Sequence, residues 1–348
     1  MKTRFLLHVA LVVLTPFSAA KAGEITKYDG KGIPNVTILS HSLDEVKYKI
    51  TGIRPTQKLG AWQVGTIVYT PDRILERVAH RAERSQWQSA LDTLDGARRY
   101  PVMAEAMAFW RARIAYLQFA ETGRGGAEAV RALESFLSEY TPLRGFYVPE
   151  ALYVLGKAHL LAGDTRGARS RFTALAALTG RTRELLGGLG HAQVALAEGN
   201  ARDAARRLRS VIDEAERAHV VAILPKATLW YARALVAADR APEAIRLLRS
   251  HIEKKSAPPL FRDRLLAQAN NALADAYAVS MVPAERLQAL FGYLQTTCFH
   301  KQWRVECAEA FHKAEAIART QGLEKDADGM AERLATQYGE TRWARQET

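Results

Sequence analysis

Between Leu152 and Gly180 the chain reads LYVLGKAHLLAGDTRGARSRFTALAALTG, two helical runs hinged at Gly163-Asp164. Leu152, Leu155, Gly156 and His159 share one face of the first run, and Ala168 and Phe172 share one face of the second. Gly156 and Ala168 are small where two antiparallel helices approach closely, and Phe172 fills the space above them. A hairpin of this kind cannot bury its apolar face alone, so the rest of the chain is expected to supply neighbours for it. A small residue recurs in the second run of each hairpin, at Ala90, Ala129, Ala168, Ala204, Ala244, roughly Leu287, and Ala327. The mean period is about 39 to 40 residues, which marks a repeat array.

The Leu152–Gly180 spacing resembles the tetratricopeptide (TPR) pattern W-x2-L-G-x2-Y…A-x3-F, with Leu152 for its Trp, His159 for its Tyr and Gly180 for its closing Pro. The period is longer than the usual TPR length and overlaps the HEAT/armadillo range. The Gly or Asp that recurs at the turn (Gly163-Asp164, Gly199-Asn200, Asp239, Gly322) favours a TPR-like reading with lengthened helices. The expected fold class is mainly α, a TPR-like helical-hairpin solenoid of about seven hairpins preceded by a small antiparallel β-module.

The hairpins read as 73–84 with 86–99, 102–121 with 127–139, 149–162 with 165–178, and 182–198 with 202–215. They continue as 226–238 with 242–254, 261–279 with 284–297, and 305–321 with 324–338. Tyr140-Thr141-Pro142 with Tyr147 and Pro149, and again Tyr338-Gly339-Glu340-Thr341-Arg342-Trp343-Ala344, are similar to the repeat junctions of periplasmic TPR proteins. Those include outer-membrane assembly lipoproteins and division-coordinating TPR proteins. This chain lacks their lipobox Cys and has Gly339 in place of Pro. The resemblance implies scaffolding as a class of role.

From Glu24 to Thr70 the period changes to two. Val36 and Ile38, then Val46, Tyr48 and Ile50, then Trp62, Val64, Thr66 and Val68 alternate with polar residues between Gly- and Pro-containing turns. Three to five short strands are expected, in a module too small for a core of its own and therefore packed on the first helices. It looks somewhat like the small SH3-like or Sm-like barrels that precede helical repeats in some secreted bacterial proteins. Pro71-Asp72 marks the switch to helix.

The formal net charge of +12 raises the question of an anionic partner. Lys2 and Arg4, the apolar run Phe5–Leu14 and Ala20-Lys21-Ala22 read as a secretory leader with its cleavage site. The expected organisation is a signal peptide at 1–22, a β-module at 23–71 and the solenoid at 72–348, in a periplasmic or secreted protein without nucleic-acid partners. No stretch has the roughly 18 consecutive apolar residues of a membrane span. Cys298 and Cys307 flank a predicted turn, and two readings stand: an exported disulfide, or two free thiols.

A solenoid offers ligands its concave face, made mainly by the first helix of each hairpin. Projected onto that face are Arg111, Ile114, Gln118, Tyr153, Lys157, Leu189, Gln193, Lys226, Arg233, Asn271 and Asp275. Arg111, Lys157, Lys226 and Arg233 form either a row that holds an acidic segment or an ordinary solvated face. Arg202, Arg206, Arg207 and Arg209 belong to a second, outward helix. His159 and His191 read as packing residues, and His300, Cys307 and His312 do not share a helical face. Gly187-Gly188-Leu189-Gly190 follows a helical segment, so it is not a dinucleotide loop, and no hydrolase, phosphate-loop or zinc signature occurs. No catalytic, metal or cofactor residues are therefore assigned. The leading expectation is a non-enzymatic extracytoplasmic scaffold that binds a protein or peptide on its concave face. A binder of anionic cell-envelope polymer or lipid surface is the alternative, and a cell-wall-acting enzyme subunit the third.

Overall fold

The computed structural model describes residues 20–69, 73–96, 103–253, 259–280 and 282–345. The predicted basic n-region and apolar run, Pro71-Asp72, and the Tyr100-Pro101 junction lie outside the described residues.

Six strands come first: β1 Ala20–Lys27, β2 Gly32–Pro34, β3 Val36–His41, β4 Glu45–Ile50, β5 Gln57–Gly60 and β6 Val64–Tyr69. β2 and β3 act as one strand, because their partners along β1 keep one antiparallel register from Ala20↔Ile38 to Thr26↔Gly32, interrupted only at Asn35. Asn35 takes a left-handed conformation (φ 56°), which an Asn tolerates and which bends the strand. β4 and β5 follow as a meander, and β6 returns to the other edge of β1. The sheet thus curls toward a small barrel.

Two sequence expectations change here. The described residues hold six strands where three to five were expected, because β2 and β3 are split at Asn35. Trp62 lies in a 3-10 turn, Ala61–Gln63, rather than in a strand, and this frees its ring from the sheet's alternation. β1 also runs through the predicted cleavage site. Processing after Ala22 removes the Ala20 and Lys21 pairs to β3 and leaves Glu24, Ile25 and Thr26 paired to both β2 and β6.

Fourteen helices follow: α1 Ile74–Glu83, α2 Trp87–Gly96, α3 Ala104–Thr122, α4 Gly126–Tyr140, α5 Val148–Leu161, α6 Thr165–Ala176 and α7 Arg181–Ala197. Then come α8 Ala201–Arg217, α9 Leu224–Ala237, α10 Ala241–Ile252, α11 Asp263–Ala278, α12 Pro283–Phe299, α13 Arg304–Thr320 and α14 Glu324–Tyr338. They pair as seven antiparallel hairpins, and each odd-numbered helix also packs on the next odd-numbered one. The boundaries follow local chemistry. Proline occupies the first turn of α5, α9, α10 and α12, where its missing N–H costs nothing. Gly163, Gly199 and Gly322 turn the chain between helices with φ of 72–79°, and Asp239 does the same job at φ 60°. The Asp164 carboxylate accepts from the Gly167 amide at 2.8 Å and so caps α6.

The repeat positions hold the hairpins together. Ala90, Ala129, Ala168, Ala204, Ala244 and Ala327 are all 0% exposed. In the sixth hairpin the equivalent residue is Ala289, also 0% exposed, whereas Leu287 points outward and is 37% exposed. Ala289 is the seventh residue of α12, one turn deeper than the alanines that stand fourth in the other second helices. The glycine-dense segment of α7 is likewise a packing device. A Cβ on Gly187 would lie 2.6 Å from that of Ala176, and one on Gly190 or Gly156 would enter the Phe172 ring.

The β-module has no core of its own. Ile25, Ile38, Val46, Val64 and Ile67 join one continuous apolar cluster with α1 to α9, while the last hairpins form two smaller clusters. No described helix is long and apolar enough to cross a membrane.

Candidate binding lumen

The module docks on the inner face of the solenoid. The Leu43 amide donates to the Arg144 carbonyl at 2.6 Å, and the Arg144 guanidinium grips both Asp44 carboxylate oxygens at 2.6 and 2.8 Å. Arg183, 4% exposed at the start of α7, donates to the Leu43 carbonyl and, at 3.0 Å, to the Thr179 carbonyl. At the far edge the Ala222 amide donates to the Tyr28 carbonyl at 3.2 Å. Trp62 reaches across to α7, where it packs against Gly180: a Cβ there would lie 2.5 Å from that of Trp62. His41 lies 3.7 Å from the Glu105 carboxylate, which also accepts from the Tyr147 amide at 2.7 Å.

The two ends of the solenoid also meet. Glu121 at the end of α3 is 4% exposed; it accepts from the Ser85 hydroxyl and from Arg304 of α13 at 3.4 Å. Its carbonyl accepts from the Arg342 amide at 2.8 Å, and Arg345 donates to the Thr122 carbonyl at 3.1 Å. The Arg84 guanidinium lies over the Trp303 ring. Seven hairpins therefore complete about one superhelical turn, and the first helices surround a lumen partly filled by the β-module.

Between module and helices lies an open cavity of about 400 Å³. Its walls come from the module (Tyr28, Trp62, Ile67), from first helices, including Phe109 and Trp110 of α3, Tyr153 of α5 and Lys226 of α9, and from the loops that lead into α5 and α9 (Tyr147, Ala222). Burial pushes the Tyr28 hydroxyl up to about 12, so it enters as a neutral donor. Arg113 pairs with Glu150 at 2.5 Å and lies 4.6 Å from the Trp110 ring centre. The Lys157 ammonium sits 5.2 Å from the Tyr116 ring centre and 5.9 Å from that of Tyr153, and the Lys226 ammonium sits 6.0 Å from the same Tyr153 ring. Lys226 is exposed to the open lumen while protein groups crowd round it. That crowding, which strips part of its water, and then the nearby Lys157 push its ammonium down to about 8.

Of the residues projected onto the concave face, Tyr153 and Lys226 line the cavity, and Lys157 and Gln193 lie beside Tyr153 without lining it. Gln193 is buried, with its amide nitrogen 3.5 Å from the Tyr153 hydroxyl. Arg111 instead pairs with Asp95 of α2, Ile114 and Leu189 are buried core, and Gln118 does not line the cavity. The inner register of α3 runs through Phe109, Trp110 and Arg113, so Arg113 and not Arg111 faces the cavity. Arg233 lies farther round, 5.0 Å from the Trp230 ring centre. Asn271 is fully buried and donates to the Glu306 carbonyl at 2.9 Å, a clasp between α11 and α13. Asp275 holds Lys313 at 2.8 Å and accepts from the Tyr293 hydroxyl at 2.6 Å.

The chain is similar to several solved structures, among them two with tetratricopeptide repeats. A tetratricopeptide repeat protein from Parabacteroides merdae ATCC 43184 is 14% identical over a match covering 68% of this chain and 83% of that one, with a TM-score of 0.48. The P58(IPK) TPR domain is 17% identical over 71% of this chain and 66% of that one, with a TM-score of 0.27. No protein-family model and no curated protein sequence matches the chain. The fold is a TPR-like solenoid with a β-module on its inner face. This assignment rests on the hairpin packing and turn geometry described above, since neither similarity is close.

Other sequence candidates have structural partners. Arg206 and Arg207 pair with Asp203, and Arg209 with Asp213, all on α8, which lowers the net charge of that outer face. His159 pairs with Asp164 at 2.9 Å, and His191 packs edge-on against Phe172. Among the described residues no group of His, Cys, Asp and Glu is placed to hold a metal ion.

Both thiols are free here. Cys298 is exposed on α12, while Cys307 is buried, donates to the His300 carbonyl at 3.3 Å, and is pushed up to about 11 by burial. Thiolate is the reactive form, so at pH 8 the native chain is expected to take up one equivalent of a maleimide rapidly at Cys298. Cys307 is expected to react only under denaturing conditions. Two fast equivalents would contradict the placement of Cys307, and none would point to a Cys298–Cys307 bridge.

Proposed function

We propose that this chain is a non-enzymatic extracytoplasmic scaffold that binds a segment of a partner protein in the lumen between its β-module and its first helices. The observation that carries this reading is the open cavity itself. It is lined by Trp62, Trp110 and Tyr153 as apolar surface and by Arg113 and Lys226 as polar groups, the mixture that suits capture of a side chain or a peptide end. Clamped between two elements, the walls are pre-organised, which lowers the entropic cost of binding. The β-module occupies much of the concave face, so the reading places the partner beside the module and not along a bare groove.

A photoreactive amino acid at Leu186, which lines the cavity, is expected to cross-link a partner in the native host, and the same residue at Arg206 on the outer helix is expected to give none. Equal or stronger adducts at Arg206 would contradict the lumen as the binding surface. Turnover of a cell-wall substrate by the pure protein would contradict the non-enzymatic reading.

A further inference from the structure

Among the cations around the lumen, Arg183 is held by the Leu43 and Thr179 carbonyls, and most others have a carboxylate. Arg113 is matched by Glu150, and Arg264 is matched by Glu306 at 2.6 Å. Lys313 is matched by Asp275 and Glu309. Lys157 on α5 and Lys226 on α9 have no carboxylate within ion-pair distance among the described residues; both ammoniums lie beside the Tyr153 ring, 5.9 and 6.0 Å from its centre. The remaining charge that faces Lys226 is Glu83 of α1, which acts on it at longer range together with Glu150, Arg113 and Lys157. Gathering two like charges around one aromatic ring is unfavourable unless an anion enters between them. Tyr116 and Tyr153 offset part of that cost through their rings.

We infer that Lys157 and Lys226, both gathered beside the Tyr153 ring, form a site for a carboxylate of the bound segment, borne by an acidic side chain or by a chain terminus. This deepens the lumen reading and rests on it: the aromatic walls hold the segment, and the lysine pair selects its charge. The site differs from the row expected from sequence, because Arg111 takes no part and Arg233 lies elsewhere. Each ammonium donates a charge-assisted hydrogen bond to the carboxylate, and binding returns Lys226 to its protonated form. The sign follows from the depressed ammonium: near pH 8 a fraction of Lys226 is neutral in the free protein, an anion stabilises the charged form, and binding takes up protons.

The experiment compares three acetylated octapeptides with a neutral dye by fluorescence anisotropy on the full chain. One is octaglutamate ending in an amide, one octaglutamine ending in an amide, and one octaglutamine ending in a free carboxylate. Binding of a carboxylate-bearing peptide and not of the neutral one is expected, and the two carboxylate peptides separate a side-chain source from a terminal one. Lys157→Gln and Lys226→Gln are each expected to weaken binding roughly tenfold or more. Lys226→Arg is expected to retain most of it, which separates charge loss from misfolding. Calorimetry in two buffers of different ionisation enthalpy is expected to show proton uptake at pH 8 that is abolished in Lys226→Gln.

Equal binding of the neutral peptide, no binding of any peptide, or loss on Arg206→Gln instead of the lysine changes would overturn the site. Cross-linking at Leu186 would still stand in those cases, so the two readings fail separately.

Discussion

Phe172→Ala is expected to lower the unfolding free energy by about 3–5 kcal/mol, the usual cost of emptying an aromatic core site. The ring is 0% exposed and sits in a slot made of backbone: Gly156 of α5 lies on one side and Gly190 of α7 on the other, and a Cβ at either would enter it. Three successive helices thus meet at one side chain, and no larger neighbour is free to swing into the void. The ring also lies 5.8 Å from Tyr153, centre to centre, so its loss loosens the wall of the lumen. Urea unfolding is the direct measurement: a lower midpoint with little change in slope is expected. A cost below about 1 kcal/mol would show that α5, α6 and α7 are not wedged on this ring.

Arg183→Met is expected to release the β-module from the solenoid while leaving the helices folded. The guanidinium is buried and supplies the hydrogen bond to the Leu43 carbonyl, and the substitution leaves that carbonyl without a donor at a closed interface. Loss of a buried hydrogen bond to a charged group costs about 1.5–3 kcal/mol, a large share of what holds two small surfaces together. Helical circular dichroism is expected to persist, while Trp62, lifted from Gly180, shifts its fluorescence to the red. Unchanged fluorescence with unchanged stability would contradict the role given to Arg183.

The sequence carried the architecture because repeat packing is local. Gly156, Ala168 and Phe172 meet within one hairpin, so their spacing alone reports the contact, and the same holds for the left-handed turns at Gly163, Gly199 and Gly322. The sixth hairpin shows the limit of that logic, since its buried small residue is Ala289, one turn deeper in its helix than in the other hairpins, and not position 287. The lumen was only half legible. Tyr153, Lys157 and Lys226 follow from knowing which helix faces inward, but in α3 the helix phase could not be fixed from a sequence rich in apolar residues on every side, and Arg111 was projected where Arg113 stands. Trp62 and Arg183 gave no sign of their roles, because what positions them is a contact between segments more than 100 residues apart. Arg183 does carry one faint mark: a cation in the first turn of a helix, where the dipole disfavours it, is held there by something else.

Docking of the β-module across the lumen is the claim on which the cavity, the lysine site and the proposed role all depend. It is tested most directly by residue-resolved hydrogen exchange of the Leu43 amide in the unmodified chain. Leu43 lies in the short link between β3 and β4, where an amide facing water exchanges at close to the free-peptide rate, and its acceptor is the Arg144 carbonyl of the solenoid. The docked arrangement predicts slowing by several orders of magnitude, lost in Arg183→Met. Exchange at the free-loop rate in the native chain would mean that the module does not sit in the lumen.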